Sequence, residues 1–245
     1  WSIGVFVKEF RAIMDALRQG RRPELPDLPI QYADYAVWQR QLLEENGSVL
    51  KRQLAYWKRK LEGMPESLDL ATDFPRPVVP ASDGKTRLFT MDAQLTADLK
   101  RLAERQGATL FMVLLTAYEV LLHRYSGQDD ICLGTPIANR NYAETEGLIG
   151  MFVNTLALRT RIAEDDTFAT LLAKVKTTCL EAYEHQDAPF AKIVEMLQPA
   201  RNSAISPLYQ QMFILQSADM GTLDYRTQRY FMDTGVAKYE MMLEL

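Results

Sequence analysis

Two histidines are the residues in this 245-residue sequence that are best suited to proton transfer at neutral pH. His123 lies in a strongly apolar run, which favours a packing or capping role. His185 opens the run His-Gln-Asp-Ala-Pro-Phe, which sets an imidazole, an amide and a carboxylate at a junction between two predicted helices. A cap from Asp187 and a hydrogen bond from His185 to a carbonyl of the preceding helix explain this run without catalysis.

Other catalytic and metal-binding motifs do not occur in the sequence. It contains no Cys-x-x-Cys, His-Glu-x-x-His or Gly-x-Ser-x-Gly, and neither glycine-rich phosphate signature. Cys132 and Cys179 are far apart, and a mid-helix position favours burial of Cys179. We therefore predict no metal site and no directly bound cofactor.

Composition narrows the classes of partner. Acidic side chains number 32 and basic ones 28, so the net charge is -4, which argues against a nucleic-acid partner. The most apolar stretch, residues 111–122, is shorter than the roughly 20 apolar residues that span a bilayer, so we expect no membrane partner. Two distant cysteines do not form the disulfide framework of a small secreted protein, which favours a cytoplasmic location.

The elements that must position these residues follow from hydrophobic periodicity and from proline and glycine. Strands and helices are intermixed, so the fold class is α/β or mixed α+β. A proline-rich stretch at 64–84 marks a boundary between two lobes. The predicted helices are 3–19, 32–45, 49–61, 95–105, 110–125, 168–184 and one that Pro189 opens and Pro199 closes. The predicted strands are 87–91, 131–137, 152–162, 208–216, 223–231 and 236–245.

Several segments, taken together and in order, resemble the core motifs of the condensation domains of nonribosomal peptide synthetases. The resemblance covers nearly the whole chain, and the ordered set is far more specific than any one segment. The segments are YADYAVWQR at 32–40, LAYW at 54–57, DFPRP at 73–77, LHRYSG at 122–127, GTPIANR at 134–140, IGMFVNTL at 149–156, HQDAPF at 185–190 and RNSAISPL at 201–208.

The resemblance implies the two-lobed chloramphenicol acetyltransferase-like fold, with a channel between the lobes that two carrier-bound substrates enter from opposite faces. Residues 1–63 would then be the C-terminal tail of a truncated first lobe, 64–84 the linker, and 85–245 most of the second lobe.

The resemblance also assigns site residues. Asn154 and Thr155 are candidate donors to a tetrahedral oxyanion, and Arg140 and Arg201 are expected to pair internally. The substrate-channel candidates are Gly134, Thr135, Asn139, Asn154 and Thr155. The structural residues of the motifs are Tyr32, Asp34, Trp38, Arg40, Arg140, Gly150, Phe152, His185, Gln186, Asp187, Pro189, Phe190, Arg201 and Pro207.

The family's catalytic signature, His-His-x-x-x-Asp-Gly, does not occur in this sequence. In the family it precedes a segment like the one that begins at Trp1, so we expect it immediately before Trp1 and assign no catalytic residue within this chain. Since the first residue is not methionine, we expect the chain to be part of a longer protein and to be inactive alone.

By resemblance, the reaction is amide formation between a donor acyl or peptidyl thioester and an acceptor aminoacyl thioester. Both substrates are carried on the 4'-phosphopantetheine of upstream and downstream peptidyl carrier domains, and an adenylation domain lies adjacent in the same synthetase. Two alternatives stay open: a noncatalytic relative that docks carrier proteins, and a heterocyclization or epimerization sibling domain.

Overall fold

The computed structural model describes residues 1–45, 47–77, 81–199, 205–216 and 233–245. Its helices alternate with short strands along the chain. The α-helices are α1 (Ser2–Arg18), α2 (Tyr32–Arg40), α3 (Ser48–Leu61), α4 (Ala93–Arg105), α5 (Leu110–Ser126), α6 (Phe168–Glu184) and α7 (Phe190–Leu197). A π-helical turn, Gln41–Glu45, continues α2, and a 3-10 turn spans Ala143–Thr145.

Four strands form one sheet in the order β2-β1-β3-β4. The strands are β1 (Asp130–Ile137), β2 (Asn154–Arg161), β3 (Gln211–Ile214) and β4 (Met241–Glu244). Strand β3 runs parallel to both of its neighbours, with Gly134 of β1 opposite Met212. The mixed α/β class is therefore confirmed.

Helix starts follow local capping chemistry. Asp92, Thr109 and Thr167 each precede a helix, and each side chain accepts a hydrogen bond from the backbone N–H three residues later. Gly127 ends α5 in the left-handed conformation, with φ of 69°. These caps explain why the starts of α4, α5 and α6 lie close to their predicted positions.

The predicted strand at 87–91 is wrong. This segment has no regular secondary structure, and Leu88 and Phe89 are exposed. A strand needs a hydrogen-bonded neighbour, and the nearest β-bridge in the described residues joins Asp83 to Val236. Strands β3 and β4 are shorter than predicted, and the predicted strand at 223–231 lies outside the described residues.

The described chain divides into two compact units. Unit 1 contains residues 1–45, 47–52, 137–154 and 216. Unit 2 contains 53–77, 81–136, 155–199, 205–215 and 233–245. The predicted lobes, 1–63 and 85–245 with a linker at 64–84, follow chain order and stay a prediction.

The core of each unit is made differently. In unit 2, side chains from α3, α5, α6 and the sheet are fully buried, among them Trp57, Leu115, Leu158 and Phe213. In unit 1, a small cluster of Tyr35, Leu148 and Phe152 forms the core, with Ile30 packed against it.

Within the described residues, no single helix is both long and apolar enough to cross a membrane. Helices α4 and α5 meet the length and composition criteria only as a pair, and the pair is bent by 105°.

Candidate functional site

Two predicted channel residues, Gly134 and Thr155, meet at Tyr209 in unit 2. A Cβ atom at Gly134 would lie 2.3 Å from Cε2 of the Tyr209 ring. The Thr155 side chain is hydrogen-bonded to that of Tyr209, which is only 6% exposed. Glycine is therefore needed at 134 because the tyrosine ring fills the space beside this point of β1.

The Tyr209 ring is enclosed by two other aromatic rings. Phe190 lies 5.5 Å from it between centroids, and Tyr239 lies 6.0 Å from it. Burial, assisted by Tyr239, raises the pKa of Tyr209 above its usual value. The phenol is thus neutral at physiological pH, so it can orient the Thr155 hydroxyl through a hydrogen bond and does not act as a base there.

The other channel candidates do not join this cluster. Thr135 is buried in β1, and strand alternation directs it away from the face that Gly134 occupies. Asn139 follows β1 with φ of 52°, a left-handed conformation that asparagine tolerates. Asn154 is the first residue of β2, and both asparagines belong to unit 1. The structure therefore groups Gly134 and Thr155 only.

His185 lies at the C-terminal end of α6 and contacts both α6 and α3. Its Nδ1 donates to the Glu181 carbonyl at 2.7 Å, one turn back in α6. Its ring stacks on Tyr56 at 3.9 Å between centroids, with 11° between the ring planes. Its own carbonyl accepts a hydrogen bond from Trp57 Nε1 at 2.8 Å. The imidazole therefore fastens the end of α6 to α3.

Asp187 accepts a hydrogen bond from α3, and its predicted cap on α7 stays a prediction. Gln53 of α3 donates from Nε2 to Asp187 Oδ2 at 3.0 Å, and its Oε1 accepts from Ala188 N at 3.2 Å. Pro189 stands at the N-cap position of α7, and its own side chain makes no cap bond. Gln53 is 2% exposed, so these two hydrogen bonds join α3 to the junction before α7 in a buried position. Gln186 is half-buried at the same junction.

Arg140 lies at the centre of a cluster in unit 1. It donates to the Thr145 carbonyl and, at 2.9 Å, to Ser2 Oγ. Its guanidinium lies 4.0 Å from the centroid of the Phe152 ring and 5.9 Å from that of Trp1. Burial lowers the pKa of Arg140. The internal pairing predicted for Arg140 is thus made by a carbonyl, a hydroxyl and aromatic rings.

Gly150 and Tyr32 complete this cluster. A Cβ atom at Gly150 would lie 2.2 Å from Cδ2 of Tyr32, whose hydroxyl donates to the Met151 carbonyl at 2.9 Å. Ser2 Oγ donates to the Gly150 carbonyl at 2.9 Å. The family-motif residues Tyr32, Arg140, Gly150 and Phe152 are therefore neighbours, although more than 100 positions separate the first from the others.

The remaining motif residues are not part of the contacts described above for Arg140 or for Tyr209. Asp34 accepts from the Gln31 backbone N–H at 2.8 Å at the start of α2. The Trp38 ring meets that of Tyr142 edge-on at 4.8 Å, and Arg40 is exposed. Pro207 is exposed beside a cavity of about 1300 Å³. Arg201 lies outside the described residues.

Sequence analysis did not assign a role to Glu119, which is fully buried in α5. Its Oε1 accepts from the Thr160 hydroxyl at 3.1 Å. Burial raises the pKa of Glu119 to about 8, against the opposing effects of Thr160 and the charge of Lys60. The signal was a carboxylate inside the apolar run 111–122. By contrast, no sequence signal pointed to the contact of Tyr209 with Gly134.

The cysteines and His123 are also poorly placed for nucleophilic chemistry. Burial raises the pKa of both Cys132 and Cys179 to about 12. His123 Nδ1 lies 3.0 Å from the Gln128 carbonyl, at the end of α5. No group of three or more histidine, cysteine or acidic side chains in the described ranges could hold a metal ion. The described side chains can orient a reacting group, and no catalytic base is evident among them.

Comparison with known proteins identifies the family to which the chain belongs. The family model described as Condensation domain matches residues 1–244. A linear gramicidin synthase of Brevibacillus parabrevis is 47% identical over 253 residues, which cover 100% of this chain and 5% of that protein.

Two solved structures are similar to this chain over most of its length. The X-domain from teicoplanin biosynthesis matches with a TM-score of 0.79 and 32% identity, over 87% of this chain and 48% of that one. The X-domain in its complex with OxyB matches with a TM-score of 0.77 and 31% identity, over 89% and 49%. The chain thus spans about half the length of these solved chains and a small part of the synthase.

Proposed function

The chain belongs to the condensation domain family, and on that premise we propose that it forms part of the amide-forming domain of a nonribosomal peptide synthetase. The family match over residues 1–244 carries this proposal. The acceptor amine attacks the donor thioester, so that a C–N bond forms, the C–S bond breaks and the donor carrier's thiol leaves. Both substrates reach the site on the 4'-phosphopantetheine of upstream and downstream carrier domains, and an adenylation domain adjoins.

The proposed contribution of this chain is positioning. Two reactants held in one channel react as if in a single molecule, which removes much of the entropic barrier. The Thr155 hydroxyl, held by Tyr209 beside Gly134, is the proposed donor to the tetrahedral oxyanion. Each such donor is typically worth about 3 kcal/mol of transition-state stabilisation.

The attacking amine must lose a proton, so a basic group is needed to accept it. The sequence contains no His-His-x-x-x-Asp-Gly, and the buried thiols, Glu119 and the two histidines have structural surroundings. We therefore propose that polypeptide outside this sequence supplies that motif, and that the chain alone does not condense substrates. The division into lobes at 1–63 and 85–245 around a linker at 64–84, and the cytoplasmic location, belong to the same proposal.

A second candidate function is a noncatalytic docking domain. It is favoured by the similarity to the X-domain, for which one solved structure is a complex with OxyB. In that case the chain would bind a partner protein and transfer no acyl group. No observation favours a heterocyclization or epimerization sibling over these two.

The test is a condensation assay on the longer polypeptide that contains this chain, with both carriers loaded. Thr155→Val should slow product formation by about 100-fold, since it removes one oxyanion donor and keeps the side-chain shape. Thr177→Val is the matched control, because Thr177 is exposed on α6 and bonds only the Ala173 carbonyl of its own helix. Equal rates for both variants would exclude Thr155 from the proposed site, and absence of product in the parent would favour docking.

A further inference from the structure

Three side chains of unit 2 form a hydrogen-bonded row, called here the hydroxyl row, which consists of Thr155, Tyr209 and Tyr239. The Tyr209 side chain is hydrogen-bonded to that of Thr155 and also to that of Tyr239. The two tyrosine rings lie 6.0 Å apart between centroids, with 35° between their planes. Tyr209 is 6% exposed, whereas Thr155 and Tyr239 are half-buried. The row therefore joins a predicted channel residue, through a buried phenol, to a phenol nearer the surface.

The pairing of β3 with β4 explains why the two phenols lie side by side. Tyr209 and Tyr239 are at matching positions, each two residues before its strand in this parallel ladder. The backbone N–H of Glu240 donates to the Gln210 carbonyl at 3.0 Å, which continues the ladder towards them. Matching residues on neighbouring strands project on the same side of the sheet, with the strands about 5 Å apart. The fold thus brings together two tyrosines that are 30 positions apart in the sequence.

The middle phenol of the row has little freedom to move. Its ring fills the space beside Gly134, where an added Cβ atom would lie 2.3 Å from it. Phe190 packs against the ring at 5.5 Å between centroids. A hydroxyl that is already fixed in place does not have to reorganise when charge develops near it.

The number of protons in the hydroxyl row determines its direction. A hydroxyl group has one proton to donate and two lone pairs that accept. When Thr155 donates its proton to an oxyanion, it cannot also donate to Tyr209, so the phenol must donate to the threonine oxygen. Burial raises the pKa of Tyr209, so this phenol has a proton to give at neutral pH. Its oxygen can then accept from the Tyr239 hydroxyl, and all the hydrogen bonds of the row point towards Thr155.

We propose that Tyr239, acting through Tyr209, is a positioning residue that orients and polarises the Thr155 hydroxyl towards the oxyanion. This inference rests on the function proposed above and adds a residue to it. Hydrogen bonds aligned head to tail strengthen one another by about 10–30% per bond. Tyr239 therefore improves donation by Thr155, although it does not itself touch the reacting atoms.

Tyr239→Phe tests the hydroxyl row in the condensation assay, with the longer polypeptide and both carriers loaded. The variant keeps the aromatic ring and removes the hydroxyl. We expect kcat to fall about five-fold, as for the loss of one hydrogen bond, while KM for the loaded carriers stays unchanged. Tyr125→Phe is the matched control, because it removes a phenol hydroxyl from a residue of α5 that is 69% exposed. It should leave kcat at the parent value.

A double variant separates positioning from general support of the fold. Because Tyr239 acts through Thr155, Tyr239→Phe should cause no further loss of kcat in the Thr155→Val background. A loss of about five-fold in both backgrounds would overturn the proposal and give Tyr239 a structural role alone.

Two other results distinguish this inference from the function on which it rests. Parent kcat in Tyr239→Phe, together with a slow Thr155→Val, would overturn the role of Tyr239 and leave the proposed function intact. Parent kcat in Thr155→Val, or no product from the parent polypeptide, would overturn both.

Discussion

Units 1 and 2 differ most in where they place their apolar side chains. Unit 2 buries a continuous core between α5, α6 and the sheet, with Leu115, Leu158 and Phe213 fully enclosed. Unit 1 exposes Ile3, Phe6, Phe10 and Leu17 on α1. It also exposes Ile149, Met151 and Val153. In the described part of unit 1, the buried apolar side chains are Ala16, Tyr35, Leu43, Leu148 and Phe152.

The difference shows how each unit is held together. Hydrophobic burial is the main stabilising term in most folded domains. Unit 2 buries many large apolar side chains completely. Unit 1 relies more on hydrogen bonds and ring contacts around Arg140, which contribute less per interaction. We therefore expect single changes to cost more free energy of unfolding in unit 2 than equivalent changes in unit 1.

Loss of a buried ion pair should cost more free energy of unfolding than loss of an uncharged contact, and two arginines, one in each unit, test this. Arg159 of unit 2 is 5% exposed and donates to both Asp130 oxygens, at 2.8 and 2.6 Å. Arg159→Leu leaves that carboxylate without its main partner and should cost about 3 kcal/mol of unfolding free energy. Arg140→Leu in unit 1 leaves no carboxylate unpaired and should cost about 1 kcal/mol of unfolding free energy. Urea unfolding measures both, and equal costs would break the comparison.

Two glycines give the next largest contrast. Gly134→Ala places a methyl group against the buried Tyr209 ring, and overpacking of this kind costs about 1–3 kcal/mol. Gly150→Ala meets Tyr32, which is 36% exposed and can move outwards, so it should cost less. Gly4→Ala is the control: nothing lies within 4 Å of its added Cβ, and alanine should stabilise α1 by about 1 kcal/mol. The account predicts the lowest thermal unfolding midpoint for Gly134→Ala, a higher one for Gly150→Ala and the highest for Gly4→Ala. The reverse order would contradict it.

Glu119 should make the stability of unit 2 depend on pH. Its pKa rises from 4.5 to about 8 on folding, so between these values the folded state binds a proton that the unfolded state has lost. Stability should therefore fall as pH rises from 4.5 to 8, by about 1.4 kcal/mol per pH unit at most. In Glu119→Gln this slope should disappear. Unfolding curves across that pH range measure it, and an unchanged slope would show that Glu119 is not the group responsible.

The smallest effect on stability is expected at the exposed apolar side chains of α1. Phe6→Ser removes a large side chain that is 58% exposed, so in this chain the free energy of unfolding should change by less than about 0.5 kcal/mol. Leu115→Ala, at a fully buried position of unit 2, should cost about 2–5 kcal/mol. Equal costs for Phe6→Ser and Leu115→Ala would contradict the difference between the two units.

Sequence periodicity predicted the elements that depend on local signals. Helices α1, α3 and α6 lie within two residues of their predicted bounds because apolar spacing and capping residues determine them. The strand predicted at 87–91 failed because strand formation depends on a distant partner.

The candidate site was only partly predictable, because its contacts join residues that are distant in the sequence. Motif resemblance named Gly134 and Thr155, yet their meeting at Tyr209 depends on the pairing of β1 with β3, about 75 residues away. Gln53 gave no signal at all, because a glutamine in an amphipathic helix is ordinary until the chain brings Asp187 beside it.

The most direct test of the account is an assay of amide formation with two loaded carriers, read by mass spectrometry of the carrier-bound product. It compares the 245-residue chain with the longer polypeptide that contains it. The account predicts product from the longer polypeptide and none from the chain alone, which contains no His-His-x-x-x-Asp-Gly. Product formed by the chain alone at a comparable rate, or no product from a longer polypeptide that carries the motif, would contradict it.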